Sequence, residues 1–134
     1  MNSKIINGSS LTFLLFLLFV IFLTIWGQEK EKRFRSKIAR KPSFGIGVVQ
    51  RAEFAFKSGD KVEYSFEVNN TTIKSERIYP DLGTLTNIVI KKSFPVVYYK
   101  DNPEYNDILI LPEDFAVYNI AFPDSLQWIM RYRK

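Results

Sequence analysis

The 134-residue chain contains no cysteine and no histidine. Without cysteine there are no disulfides, no thiol catalysis, no thiolate metal sites and no lipidated cysteine anchor. Without histidine the chain lacks the commonest general base and the commonest metal ligand. Catalysis of the Ser-His-Asp or Cys-His kind is therefore impossible. Charge is missing locally as well. Between Lys4 and Glu29 not one residue is charged.

The uncharged run, residues 5–28, holds 13 Leu, Ile, Phe and Val between positions 11 and 25. An α-helix rises about 1.5 Å per residue, so a bilayer core of about 30 Å needs about 20 mostly apolar residues. The apolar heart, residues 11–26, supplies only 16. Ile5, Ile6 and the neutral residues 7–10 complete the length. At roughly −0.3 to −0.6 kcal/mol for each large apolar residue, insertion is favoured by about 4–8 kcal/mol before polar penalties. Trp26 closes the run, where an amphipathic ring suits the headgroup region. Residues 1–28 are expected to form an uncleaved membrane anchor, with 5–28 in contact with the lipid bilayer. The rival is a cleaved signal peptide of residues 1–27. Its marks are weak: Lys4 is the one basic side chain at the start, no Ala-x-Ala follows, and a cut after Gly27 would have Ile25 two positions earlier.

Seven cations follow within thirteen residues: Lys30, Lys32, Arg33, Arg35, Lys37, Arg40 and Lys41. Only Lys4 flanks the other side. The positive-inside rule then places the N-terminus outside and the globular part in the cytoplasm. Trp26, Lys30, Lys32, Arg33, Arg35 and Lys37 are the expected membrane-contact residues. The cations would meet anionic headgroups at about 1 kcal/mol each near the surface. Residues 28–41 carry a net +5, residues 42–130 a net −4, and Arg131, Arg133 and Lys134 a further +3. The isoelectric point near 9.4 thus reports a membrane flank and a tail. A nucleic-acid partner is not expected, nor is a metal or cofactor.

Residues 29–43 read as a basic juxtamembrane linker, and residues 44–112 as one small domain. From Ile46 to Lys57 the chain alternates with period two, which predicts a half-buried strand with Ile46, Val48, Ala52, Phe54 and Phe56 on one face. Lys57-Ser58-Gly59-Asp60 is a turn. Residues 61–68 alternate most clearly: Val62, Tyr64, Phe66 and Val68 oppose Lys61, Glu63, Ser65 and Glu67. Asn69-Asn70 suits a two-residue type I′ hairpin, because Asn tolerates positive φ. That register pairs Val68 with Thr71 and Phe66 with Ile73, sets Lys74 diagonally between Glu63 and Glu67, and has the cost of Glu63 facing Glu76. The third strand covers 71–78. Residues 84–93 fit a short helix or crossover, 94–100 a strand, 101–104 a turn, and 107–111 a strand stopped by Pro112. Residues 113–134 read as an extension with short helical pieces, one started by Asp124-Ser125 and carrying Leu126, Trp128 and Ile129. The sum is a mainly β domain: a small five-stranded antiparallel sheet or partly closed barrel with a short helical C-terminal extension.

Two segments carry a family resemblance. They are Lys61-Val62-Glu63-Tyr64-Ser65-Phe66-Glu67-Val68-Asn69-Asn70 and Phe94-Pro95-Val96-Val97-Tyr98-Tyr99-Lys100-Asp101-Asn102-Pro103. Together they resemble a widespread bacterial domain-of-unknown-function family, with a V-x-Y-x-[FY]-x-V-[ND]-G hairpin followed about 25 residues later by V-x-V-Y-Y-D-P-x-N-P. The resemblance implies a small β domain tethered by transmembrane helices, and brings neither catalytic residues nor an activity. Asn70 stands in place of the usual turn Gly, and the first Pro of the second motif is missing.

Other patterns have plainer explanations. Asp101, Asn102, Glu104, Asn106 and Asp107 could suggest a Ca²⁺ loop, but the Gly and Glu spacing of an EF-hand is absent, and a polar hairpin turn explains them. Asn69-Asn70-Thr71-Thr72 and Asn7-Gly8-Ser9 contain glycosylation sequons, yet the hairpin accounts for the first. Tyr64, Phe66, Phe94, Tyr98, Tyr99 and Tyr105 could stack bases, but on an acidic domain alternating aromatics are ordinarily core. Glu63 and Glu67 share a wet face, as solvated residues do. Trp128, Arg131, Tyr132, Arg133 and Lys134 read as a capping helix whose end frays, or as a tail on the bilayer. The functional expectation is a single-pass membrane protein whose non-enzymatic β domain serves as an interaction or scaffold module with an unidentified protein partner. The alternative is a secreted or periplasmic binding protein.

Overall fold

The structure is a computed structural model that describes residues 8–133. Residues 1–7 and Lys134, which enter the sequence expectations at both ends, lie outside the described residues. The chain divides into two compact units, one ending at Ser36 and one starting at Lys37.

The first unit is helical, part of α1 (Gly8–Arg40). It is the one described helix long and apolar enough to cross a membrane, and none of its apolar window is buried against other protein. Its two threonine hydroxyls are satisfied within the helix. Thr12 Oγ1 donates to the carbonyls of Gly8 and Ser9, and Thr24 Oγ1 donates to Ile21 O at 2.8 Å. Such back-bonding is what an apolar surrounding demands of a polar side chain. The helix continues through the basic stretch and stops before Pro42, whose ring disfavours helical φ/ψ in the residue ahead of it.

The second unit is the five-stranded antiparallel, nearly closed barrel expected from the alternation. Its strands are β1 (Pro42–Glu53), β2 (Asp60–Val68), β3 (Thr71–Tyr79), β4 (Ser93–Tyr99) and β5 (Asn102–Ile108), in the order β3-β2-β1-β4-β5. β1 is shared: its first half pairs with β4 and its second half with β2. A bulge at Val49/Arg51 lets the sheet coil there. β3 and β5, at the two ends of the order, come together to close the barrel. A short helix α2 (Leu85–Ile88) fills the crossover, with Leu85 and Val89 buried. The extension contains α3 (Pro112–Val117) and a 3-10 helix (Asp124–Arg131) that buries Leu126 and Ile129.

The β2–β3 hairpin has the expected register. Val68 faces Thr71, Phe66 faces Ile73, and Glu63 faces Glu76. Asn69 and Asn70 have φ of 50° and 64°, as a type I′ turn requires. The Glu63–Glu76 repulsion is relieved by Lys61, whose Nζ lies 2.8 Å from Glu63 and 3.2 Å from Glu76.

Two expectations fail. β1 is turned over: Ile46 is 64% exposed and Phe44 57%, while Gly47 and Val49 point into the core. The reason is space. A Cβ on Gly47 would lie 2.6 Å from Val96 Cγ2, so the large residues of β4 and β2 fill the interior and only glycine fits opposite them. The last strand also comes earlier than 107–111. Ile110 and Leu111 leave the ladder because their N–H groups donate to Asp114 Oδ2 at 2.9 and 2.8 Å. They remain buried without being a strand.

The core is formed by Val49, Val62, Tyr64, Phe66, Phe94, Val96 and Ile108, all nearly inaccessible. Ile38, in the last turn of α1, is fully buried in this second unit. Each such side chain stabilises the fold by about 1.5–3 kcal/mol.

Candidate functional site

The expected membrane-contact residues lie on successive turns of α1. Trp26 is 53% exposed and its ring stacks on Phe22 at 6.2 Å. Lys30 Nζ stands 4.6 Å above the Trp26 ring, so an aromatic and a cation share one spot at the end of the uncharged run. Arg33 pairs with Glu29 at 3.3 Å and Arg35 with Glu31 at 2.8 Å, both one helical turn apart. Lys32 borders a small surface pocket with Gln28, Glu31 and Arg35. Lys37 belongs to the second unit and lies 4.2 Å over the Tyr105 ring of β5. Of the six residues, then, five are on the helical stem and Lys37 is seated on the barrel.

In the barrel the most concentrated chemistry is at the β3–β5 closure. Arg77, on β3, donates from Nη1 to Asp107 Oδ1 at 2.6 Å and to Ile108 O at 2.8 Å, and from Nη2 to Asp114 Oδ1 at 2.7 Å. Tyr79 Oη donates to Asp114 Oδ2 at 2.9 Å, and Tyr118 Oη to Asp107 Oδ2 at 2.8 Å. Among the described residues no buried side-chain polar atom lacks a partner. Burial pushes the Tyr79 hydroxyl well above its ordinary value, and Asp114 adds to the rise while Arg77 opposes it. For Arg77, burial favours the neutral form, yet the carboxylates of Asp107 and Asp114 win and hold it charged. Three of Arg77's N–H groups and all four carboxylate oxygens of Asp107 and Asp114 are engaged in bonds that tie β3 to β5 and α3. This cluster is a clasp.

A second buried pair lies alongside: Tyr64 Oη donates to Asn106 Oδ1 at 2.6 Å. Burial pushes the Tyr64 hydroxyl up to about 12. On the outer face, an open groove of about 730 Å³ runs over β2 and β3 past Glu63, Ser65, Lys74 and Glu76. The hydrogen bond from Lys61 holds the Glu63 carboxyl below its usual range. Glu63 is therefore an ionised surface acceptor at neutral pH, unsuited to donating a proton.

The oxygen-rich segment after β4 is dispersed. Asp101 pairs with Lys41 at 3.0 Å, Asn102 Oδ1 accepts the Glu104 N–H, and Asn106 and Asp107 point inward to Tyr64 and Arg77. The aromatic candidates are likewise packing residues: Tyr64 stacks near Phe66 at 6.4 Å, and Phe66 meets Tyr98 at 5.7 Å.

Sequence reasoning missed the clasp. Its one local signal is parity: Arg77 follows Ile73 and Ser75 on the inward face of β3. Asp107 and Asp114 are 30 and 37 residues away. No family model matches the chain, and no curated protein or solved structure matches it.

Proposed function

We propose that the chain is a single-pass membrane protein whose small barrel is a non-enzymatic interaction or scaffold module held at the bilayer. The observation that carries this is the surface of α1. Its apolar window has no protein against it, so some apolar phase must cover it. The basic stretch from Lys30 onward favours a cytoplasmic barrel and a contact with anionic headgroups, with Trp26 at the interface. The clasp speaks against an enzyme built on Arg77, Asp107 and Asp114, because each is committed to structure. It also speaks against a peptide added between β3 and β5, which would have to displace it. The resemblance to membrane-tethered β domains of unknown function agrees with this reading.

Alkaline carbonate extraction should leave the protein in the membrane pellet. Protease added to sealed, right-side-out membranes should spare the barrel, and permeabilisation should expose it. A soluble mature protein starting near residue 28 would refute the anchor in favour of the secreted or periplasmic alternative.

A further inference from the structure

The outside of the barrel is divided. On β2 and β3 the outward row is polar: Lys61, Glu63, Ser65 and Glu67 on one strand, Thr72 and Lys74 on the other. On β1 it is Pro42, Phe44, Ile46 and Val48. Ile46 is 64% exposed, Phe44 57% and Val48 36%. The register sets Phe44 beside Val97 and Ile46 beside Pro95 of β4, so the apolar face crosses two strands. Strands with one wet face alternate, and near-continuous apolar runs mark strands covered on both faces.

The chain supplies part of that cover. Val97 points outward beside Phe44 yet is fully buried. Val117 and Ile120, at the end of α3 and just beyond it, line a cleft of about 180 Å³ together with Val97, Phe44 and Pro42. The cover thins out there, leaving Val117 43% exposed at its border.

The rest of the cover has to be uncharged. From Pro42 to Gln50 no residue carries a charge, and none of the residues lining the cleft does. The charges that bracket this stretch are already paired, Lys41 with Asp101 and Arg51 with Glu53. An anionic headgroup surface or a charged peptide would meet no counter-ion on this face. A second copy meets what it needs. A two-fold contact sets a surface against itself, so a charge near the axis would face its like, and here there is none. Shape agrees, because Ile46 projects two residues away from a cleft with room for one large apolar side chain.

The area sets the strength. At about 60–120 Å² for each aliphatic side chain and about 150–250 Å² for Phe, the exposed parts of Phe44, Ile46, Val48 and Val117 amount to roughly 200–300 Å² per copy. A standard interface of about 800 Å² a side holds about 450 Å² of apolar surface. The pairing is therefore of the weak, reversible class, which suits chains already concentrated by a membrane tether.

We propose that the outer face of β1 pairs with the same face of a second copy of this chain, each Ile46 entering the other copy's cleft beside Phe44 and Val117. The proposal rests on the reading of the barrel as a tethered interaction module and gives that module its partner. The chain has no cysteine, so single labels can be placed cleanly. The full chain is reconstituted in phosphatidylcholine vesicles over a range of protein-to-lipid ratios. It carries a spin label on Ser93→Cys, exposed opposite Val48, or on Lys74→Cys of β3 as the control. Dipolar spectroscopy is expected to give a short, defined distance between copies at Ser93 and a longer one at Lys74. Ile46→Lys should weaken the pairing about tenfold or more by burying an unpaired ammonium, and Val117→Glu should do the same with a carboxylate. Both positions are exposed, so the near-ultraviolet circular dichroism should stay native. Mixing the two variants should restore pairing, because only the mixed pair sets a lysine against a glutamate. No distance between copies at Ser93 at any ratio overturns the proposal. So does a distance that Ile46→Lys leaves unchanged, which would mean that the anchors alone hold the copies. A Ser93 label reached by a lipid-borne relaxation agent at every ratio also overturns it, and gives the face to the bilayer. Carbonate extraction tests the anchor separately: a chain released into solution keeps the β1 face, and the same labels read its pairing there.

Discussion

Arg77 Nη1 lies 2.6 Å from Asp107 Oδ1 across the one junction of the barrel that has no strand ladder. β3 and β5 are joined there by side chains, with Arg77 reaching a second carboxylate, Asp114, at 2.7 Å. The three side chains are 15%, 9% and 4% exposed. Removing the cation strands two buried carboxylates. Arg77→Met is therefore expected to cost about 3–5 kcal/mol, a large part of the stability of a small domain. Arg77→Lys should recover only part of it, since an ammonium cannot serve two carboxylates in a planar fork. Urea unfolding of the full chain in micelles, followed by near-ultraviolet circular dichroism, measures both. A loss under 1 kcal/mol for Arg77→Met would show that the closure is held by apolar packing.

The same region makes the fold sensitive to alkali. Burial raises the Tyr64 hydroxyl from 10.0 to about 12, and Tyr79 moves in the same direction. The native state therefore holds these protons more tightly than the unfolded chain. Below pH 10 both states are protonated and the contribution is complete. It is lost as pH rises from about 10 to about 12, and for Tyr64 alone the loss is on the order of 2–3 kcal/mol. Tyrosinate absorbance should show two late-titrating tyrosines and stability falling across that window. Tyr64→Phe should flatten the fall. It should also cost about 1–3 kcal/mol at neutral pH by leaving the buried Asn106 carbonyl without its donor.

What was legible follows from the range of each interaction. The β2–β3 hairpin depends on alternation and two turn residues, all within 19 positions, and its register can be read residue by residue. The clasp depends on carboxylates 30 and 37 residues from Arg77, so only the odd parity of Arg77 hinted at it. β1 misled for a related reason. Ile46 and Val48 are the apolar residues of the strand, and the rule that apolar faces turn inward selects them. The interior had already been filled by Val96, Tyr64 and Phe66, which lie far along the chain. The last strand misled because a side-chain carboxylate, Asp114, took the N–H groups that a strand partner would have used. The basic cluster after the uncharged run is legible as composition, but the seating of Lys37 on Tyr105 depends on the fold.

Asn70 has φ of 64°, a left-handed conformation that costs an ordinary side chain about 1–2 kcal/mol. Asn tolerates it, and glycine does so at no steric cost. Asn70→Gly should leave stability unchanged or slightly raised, and Asn70→Ala should lower it by about 1 kcal/mol. Amide exchange of Val68 and Thr71, whose residues pair beside the turn, reads the local effect. Equal protection in all three chains would mean that the turn adds nothing to the register.

Gly45 and Gly47 test why β1 is turned over. Both face the interior, two residues apart, yet they have different surroundings. A Cβ on Gly45 would meet Phe66 and Tyr98 ring carbons at 3.7 Å, ordinary contact. One on Gly47 would meet Val96 Cγ2 at 2.6 Å, and Val96 is fully buried with no room to retreat. Gly47→Ala is therefore expected to cost about 1–3 kcal/mol through overpacking. Gly45→Ala should be neutral or stabilising, because glycine in a strand loses more backbone entropy on folding than alanine does. The double variant Gly47→Ala with Val96→Ala should recover part of the overpacking loss, measured as a coupling energy in a double-mutant cycle. If Gly47→Ala were as mild as Gly45→Ala, the strand could rotate to relieve the contact. Ile46 would then have to become less exposed, which a probe on Ile46→Cys would report.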